Sequence, residues 1–160
     1  MSIKNGAIYT DLSLDALGGI AAALADFVQK GDVILLEGNL GVGKTEFARI
    51  FLRHLTGNDG LAVPSPTFTL VQQYDTPKGE VWHFDLYRLE DPLEVEEIGW
   101  NEALTHGISL IEWPDRLGPY LPEDYLRLRL DFSDKGEDLR DISVTPCGVY
   151  KDRLATNWKI

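Results

Sequence analysis

The sequence predicts an α/β domain built on a mixed, partly antiparallel sheet. Two short all-apolar runs, at 33–36 and 108–111, have the composition of strands buried on both faces. Segments 13–30 and 44–56 repeat apolar residues at helical spacing, and two further regions are β-prone runs joined by turn-rich connectors. Strands interleaved with helices imply layers, and the hairpins make the sheet mixed rather than purely parallel.

Along the chain, Ser13 is suited to cap a helix that carries Leu14, Leu17, Ala21, Leu24 and Val28 on one face and stops at Gly31. Val33 to Leu36 follows as a buried strand, and Gly38 to Gly43 as a glycine-rich loop. Helical periodicity returns from Lys44 to about Thr56 through Phe47, Ile50, Phe51 and Leu55 and ends before Gly57. Phe68 to Tyr74 and Glu80 to Tyr87 flank Asp75-Thr-Pro-Lys-Gly79 as a hairpin. A turn centred near Pro77 sets Asp85 roughly opposite Thr69.

Asp91-Pro92 starts a helix with Asp as cap and Pro at its first position, and Glu94, Glu96 and Glu97 complement the helix dipole. Ile108 to Ile111 is a strand ending in Glu112-Trp113-Pro114. Tyr125 to Phe132 and Leu139 to Val144 form a second antiparallel hairpin with one wet face. Neither repeats nor low-complexity linkers interrupt the 160 residues, and that length suits one domain over residues 1–160.

The charge narrows the function. Fifteen Lys and Arg stand against 26 Asp and Glu, a net charge of −11, with −3 in residues 1–80 and −8 in residues 81–160. Such a chain lacks the basic footprint of a protein that grips DNA or RNA by its phosphates, and it has no polybasic patch for an anionic membrane. Asp85 to Glu97 holds six carboxylates and one Arg. A run of this kind is usually a solvated face; the alternative is a surface that repels nucleic acid or meets a basic partner. The lone Cys147, in a turn-like Thr-Pro-Cys-Gly, excludes an internal disulfide and a cysteine-built zinc site. With no signal peptide and no membrane-length apolar run, the expected location is the cytoplasm.

The chemistry is concentrated at Gly38-Asn39-Leu40-Gly41-Val42-Gly43-Lys44-Thr45, a P-loop pattern preceded by a buried-type strand and followed by an amphipathic helix. Triphosphate oxygens need a row of backbone N–H groups, which glycine allows to curve and approach closely. The helix starting near Lys44 aims its positive end at the phosphates. Lys44 neutralises the β- and γ-phosphates, and the Thr45 hydroxyl binds magnesium. The expected fold is therefore a three-layer, P-loop NTPase-like domain.

Such a site needs an acid at a neighbouring strand end. Asp85 and Glu112 both qualify: one to hold magnesium, the other to orient the attacking water, and spacing assigns neither. Pro64-Ser65-Pro66-Thr67-Phe68-Thr69 is a stiffened loop whose hydroxyls suit a γ-phosphate or its magnesium, or else a rigid turn into the hairpin. The absence of Asn-Lys-x-Asp favours ATP over GTP. His83 reads as a core or supporting hydrogen-bonding group, His54 and His106 as helix-surface residues, and Trp113 as an aromatic at the edge of the site. Arg88 is near enough to the site to consider as a charge donor, and equally near the acids at 90–97.

Four segments together resemble the TsaE family of small bacterial ATPases required for tRNA threonylcarbamoyladenosine synthesis. They are the P-loop at 38–45, Ser-Pro-Thr-Phe-Thr-Leu-Val at 65–71, His-Phe-Asp-Leu-Tyr-Arg-Leu at 83–89 and Ile-Glu-Trp-Pro at 111–114, covering roughly residues 31–115 in order. The resemblance implies Lys44 on the phosphates, Thr45 with Glu112 around Mg2+, and Asp85 as a Walker-B-like acid. It also implies Thr67 and Thr69 as switch hydroxyls and Trp113 as an active-site aromatic. Asn39 and Glu46 depart from the family's usual residues at positions that offer mainly backbone; Glu46 adds a carboxylate near the helix start. The implied cofactors are ATP, released as ADP, and Mg2+. The implied partners are TsaB- and TsaD-like proteins, with tRNA contacted weakly or indirectly.

That leads to a partner-coupled ATPase, slow alone because no residue is an evident arginine finger. A small-molecule kinase would bring an arginine-rich lid, which the chain lacks. A nucleotide-dependent binding module would keep its function without Asp85 and Glu112.

Overall fold

The computed structural model describes residues 6–158. They form β1 (Ala7–Leu12), α1 (Leu14–Phe27), β2 (Val33–Glu37), α2 (Lys44–Thr56), β3 (Val71–Thr76) and β4 (Gly79–Asp85), followed by α3 (Trp100–His106), β5 (Ile108–Glu112), β6 (Tyr125–Ser133), β7 (Gly136–Cys147) and α4 (Tyr150–Asn157). Short 3-10 helices occupy Pro92–Ile98 and Pro114–Tyr120.

The seven strands share one sheet in the order β1-β7-β6-β2-β5-β4-β3. Its centre, β6-β2-β5-β4, is parallel throughout, while β3 on β4, β7 on β6 and β1 on β7 are antiparallel. The expected mixed sheet is what forms. Apolar residues on successive positions of β2 explain why it is central: Ile34 and Leu36 face a core with α1 and α2, and Val33 and Leu35 face a second core with Trp100 and Ala103 of α3. Helices on both faces make three layers.

Several boundaries differ from the sequence reading, each for a local reason. The first helix is capped by Ser13 as expected but ends at Phe27, because the N–H of Gln29 donates to the Asp32 carboxylate (2.8 Å) and draws the chain into a turn. The strand expected from Phe68 begins only at Val71. Leu70 N–H donates to Pro66 O at 2.6 Å, closing a turn over 66–70 in which Leu70 takes φ 68°. Asp85 N–H then donates to Leu70 O (3.0 Å), one residue from the expected partner Thr69.

Asp91 does cap the next segment, but Pro92–Ile98 is a 3-10 helix, and the helix expected at His106 is the separate α3 beyond Gly99. Cys147 ends β7 opposite Tyr125 rather than lying in a turn. β1 and α4 were unforeseen. The latter is tied down by Arg153, which makes a bidentate ion pair with the buried Asp32, and by Tyr150, whose hydroxyl donates to the same carboxylate at 2.9 Å.

Candidate functional site

β2 delivers the chain to Gly38 at the carboxyl end of the parallel strands, where open α/β sheets hold ligands. Gly38 has φ 146°, and a Cβ there would lie 2.5 Å from Leu130 O and 2.7 Å from a Val42 methyl. Only glycine fits. The loop then turns on Val42 N–H donating to Asn39 O (3.1 Å), and Arg140 of β7 donates from Nε to Val42 O (2.8 Å). Gly43, at φ 112°, caps α2 without a side chain, so the first-turn N–H groups face outward with no side-chain oxygen upon them.

Lys44 is buried and folded against its own loop: Nζ donates to Gly38 O (2.7 Å) and Asn39 O (3.0 Å) and lies 4.4 Å from the centroid of the Trp113 ring. Burial pushes its pKa down, opposed by the nearby charges of Glu112 and Asp85. Trp113 is held at φ 58° immediately after β5, with Tyr87 packed against it at 4.9 Å between ring centroids.

Asp85 and Glu112 are directly paired in the β4–β5 register, so the two strand ends present their carboxylates side by side. Both are buried. Glu112 accepts from Thr45 Oγ1 (3.1 and 3.3 Å to its two oxygens) and meets His83 Nε2 at 2.7 Å. Asp85 accepts from Thr67 Oγ1 (2.9 Å) and from Tyr87 N–H (3.0 Å), and Ser65 Oγ lies 2.7 Å from Thr67 Oγ1.

Thr45, Ser65, Thr67, Asp85 and Glu112 line one cleft of about 230 Å3, together with Leu40, Gly41, Gly43, Lys44, Glu46 and Trp113. The structure thus brings together Lys44, Thr45, Thr67, Asp85, Glu112 and Trp113. Thr69 lies elsewhere: it is exposed and accepts from the Gln72 side chain at 3.2 Å. Asn39 lines a neighbouring cavity with Glu37 and Arg129, which shares Trp113 with the cleft. Val42 is a core residue, Glu46 pairs with Arg49, and Arg88 stacks over Phe68 (4.3 Å) rather than pairing with the acids at 90–97.

Beside the cleft, sharing Gly43 and Glu46 with it, is an apolar pocket of about 150 Å3 lined by Leu12, Leu14, Leu17 and Val42, with Ser13, Asp138 and Arg140 at its rim. Asp138 and Arg140 were missed by the sequence reading. Their place at the P-loop comes from the pairing of β7 with β6, and no local motif announces it.

Two carboxylates and a hydroxyl are hard oxygen donors. Among the described residues no three His, Cys, Asp or Glu group together to hold an ion. Mg2+ bound through one or two carboxylates and completed by phosphate and water needs no more than this set, so the residues present fit it.

Known proteins resemble this chain over most of its length. The family model described as "Threonylcarbamoyl adenosine biosynthesis protein TsaE" matches residues 13–142. The TsaE protein of Rickettsia bellii is 38% identical over 123 residues, covering 77% of this chain and 85% of that protein. That of Bacillus subtilis is 38% identical over 138 residues, covering 84% and 82%. The crystal structure of Bacillus subtilis YdiB superposes with a TM-score of 0.74 at 28% identity over 93% of this chain and 90% of that one. The fold is P-loop NTPase-like.

Proposed function

The chain belongs to the TsaE family of tRNA threonylcarbamoyladenosine biosynthesis, and on that premise we propose that it is a magnesium-dependent ATPase that drives or resets a TsaB- and TsaD-like complex as it modifies the adenosine beside the tRNA anticodon. The observation that carries the reading is the convergence of Lys44, Thr45, Thr67, Asp85 and Glu112 on one cleft at the mouth of the P-loop.

In this reading the outward N–H groups of the loop and the first turn of α2 bind the phosphates. Lys44 leaves the carbonyls of Gly38 and Asn39 to neutralise them. Thr45 and Glu112 would hold Mg2+, which would supply charge neutralisation to the phosphoryl group. Asp85, fixed on both oxygens by Thr67 and Tyr87, orients the water for attack. The apolar pocket beside Gly43, lined by Leu12, Leu14 and Leu17, would receive the base.

The products are ADP and phosphate. Hydrolysis is slow in the isolated chain, because no described arginine enters the cleft itself. The partner completes the site or releases the product.

The mouth of the cleft supports a protein partner. Leu40, Phe68 and Tyr87 are exposed around it, next to the acidic run at 90–97. A net charge of −11 argues for weak or indirect contact with tRNA. No described helix is long and apolar enough to cross a membrane, and the proposed place of action is the cytoplasm. The test is ATP turnover and tRNA modification reconstituted with TsaB- and TsaD-like proteins: Lys44→Ala is expected to abolish both, and normal modification with that variant would overturn the reading. Strong, salt-sensitive tRNA binding by the isolated chain would overturn its indirect role.

A further inference from the structure

Glu112 is held from two sides, and only one of them belongs to the P-loop. Thr45 approaches both of its oxygens, while His83 Nε2 lies 2.7 Å from Oε2. His83 is fully buried on β4, between Gln72 of β3 and Leu110 of β5 in the sheet register. An ionised carboxylate only accepts, so Nε2 carries a proton and donates it, whatever the state of the other ring nitrogen, Nδ1. Among the described residues that Nδ1 is buried with no hydrogen-bond partner.

The pattern is informative. A histidine kept for packing alone gains nothing from an orphaned buried nitrogen, which is destabilising. What the ring does accomplish is to engage Oε2 and turn the Glu112 carboxylate toward Thr45. Without that donor, the carboxylate is free to swing toward the Lys44 ammonium, whose charge it already feels. Glu112 would then be lost to the metal.

We propose that His83 is a positioning residue of the magnesium site, acting through Glu112 as histidine–carboxylate pairs act around other metals. This rests on the reading of the cleft as a magnesium–nucleotide site.

Calorimetric titration of ADP, with and without Mg2+, separates the two ideas. The wild type is measured first: if Mg2+ leaves its ADP affinity unchanged, the reading of the cleft fails and this inference with it. If Mg2+ tightens binding, the variants decide the role of His83. His83→Leu fills the same apolar space and removes the orphaned nitrogen with the donor. It is expected to keep the metal-free ADP affinity and the thermal stability while raising the Mg2+ concentration for half-maximal tightening by about tenfold.

His83→Gln, whose amide nitrogen can stand where Nε2 stands, is expected to restore the wild-type value, and His83→Asn, which cannot reach, is not. An unchanged Mg2+ requirement in His83→Leu, or a parallel loss of metal-free binding, would overturn the inference. Should His83→Leu fail to fold by circular dichroism, the Gln and Asn variants carry the test, and equal behaviour of the two would overturn it.

Discussion

Thr67 donates a 2.9 Å hydrogen bond to Asp85, fastening the exposed 64–70 loop to the end of β4 across 18 residues of sequence. Ser65 extends the chain at 2.7 Å. The loop is therefore held at the acid that faces the proposed attacking water. Thr67→Val keeps the shape and removes the donor. A hydrogen bond to a charged acceptor contributes about 1.5–3 kcal/mol, and part of that is recovered here by water at the exposed loop. The expected result is faster amide exchange over 65–70, a Tm lower by about 2–4 °C and ATP turnover down about tenfold. Thr67→Ser is expected to recover most of each. Unchanged exchange in Thr67→Val would show that the loop is held by something else.

Two glycines of one loop should respond very differently to alanine. A Cβ on Gly38 meets the backbone oxygen of Leu130 at 2.5 Å, which cannot move without shifting β6. A Cβ on Gly41 meets nothing within 4 Å, although its φ of 80° is unfavourable for alanine. Gly41→Ala should therefore cost only the left-handed backbone term of roughly 1–2 kcal/mol. Gly38→Ala should cost more and abolish ADP binding. Chemical denaturation of the two variants checks the order; equal losses would mean that the loop relaxes away from β6.

Arg140 reaches the P-loop from the second hairpin. Its Nε donates to Val42 O at 2.8 Å while Nη1 bonds Leu139 O at 3.0 Å and also Glu137 O, and the guanidinium lies 4.4 Å from the Phe132 ring centroid. A lysine cannot reproduce this fork of donors. Arg140→Lys is expected to loosen the loop and weaken ADP binding by about tenfold, equivalent to about 1.4 kcal/mol. Global stability should change little, because the strand pairing remains. Isothermal titration alongside thermal unfolding distinguishes the two effects. An affinity equal to the wild type would remove Arg140 from the binding machinery.

What could be read from sequence divides along physical lines. The P-loop was legible because its chemistry is local: the strand, the glycines, Lys44, Thr45 and the helix are consecutive, and each follows from the needs of a phosphate. Asp85 and Glu112 were legible as strand ends. Their direct pairing requires β4 beside β5, which spacing does not specify, so their separate roles stayed open. Thr67 and Thr69 look equivalent in the sequence; the turn at Leu70, with φ 68°, sends one hydroxyl to Asp85 and leaves the other exposed near Gln72. The early end of α1 depended on Asp32 capturing the Gln29 N–H, a competition between side chain and helix that periodicity does not register. Arg140 was illegible for a simpler reason: its partner Val42 lies 98 residues away.

The clasp between α4 and β2 gives stability a pH dependence of known sign. The Tyr150 hydroxyl donates to Asp32 Oδ1 at 2.9 Å and accepts from Val33 N–H at 2.9 Å. Burial, reinforced by the Asp32 charge, pushes its pKa well above the usual tyrosine value of 10.0. A raised pKa means that the folded state holds the proton more tightly than the unfolded chain. The stabilisation is therefore complete below about pH 10 and is lost as pH rises above it. Tyr150→Phe removes both hydrogen bonds and leaves Val33 N–H buried and unpaired, so at pH 7 it should lower stability by about 1–3 kcal/mol. Above pH 10 the unfolded wild-type chain gains the ionised tyrosine, which the folded state excludes, whereas the phenylalanine variant has nothing to titrate there. The gap between the two proteins should narrow steadily from pH 10 upward in urea unfolding series. A gap that stays constant to pH 11.5 would show that the hydroxyl ionises as easily folded as unfolded, and that burial of the clasp is not what holds it neutral.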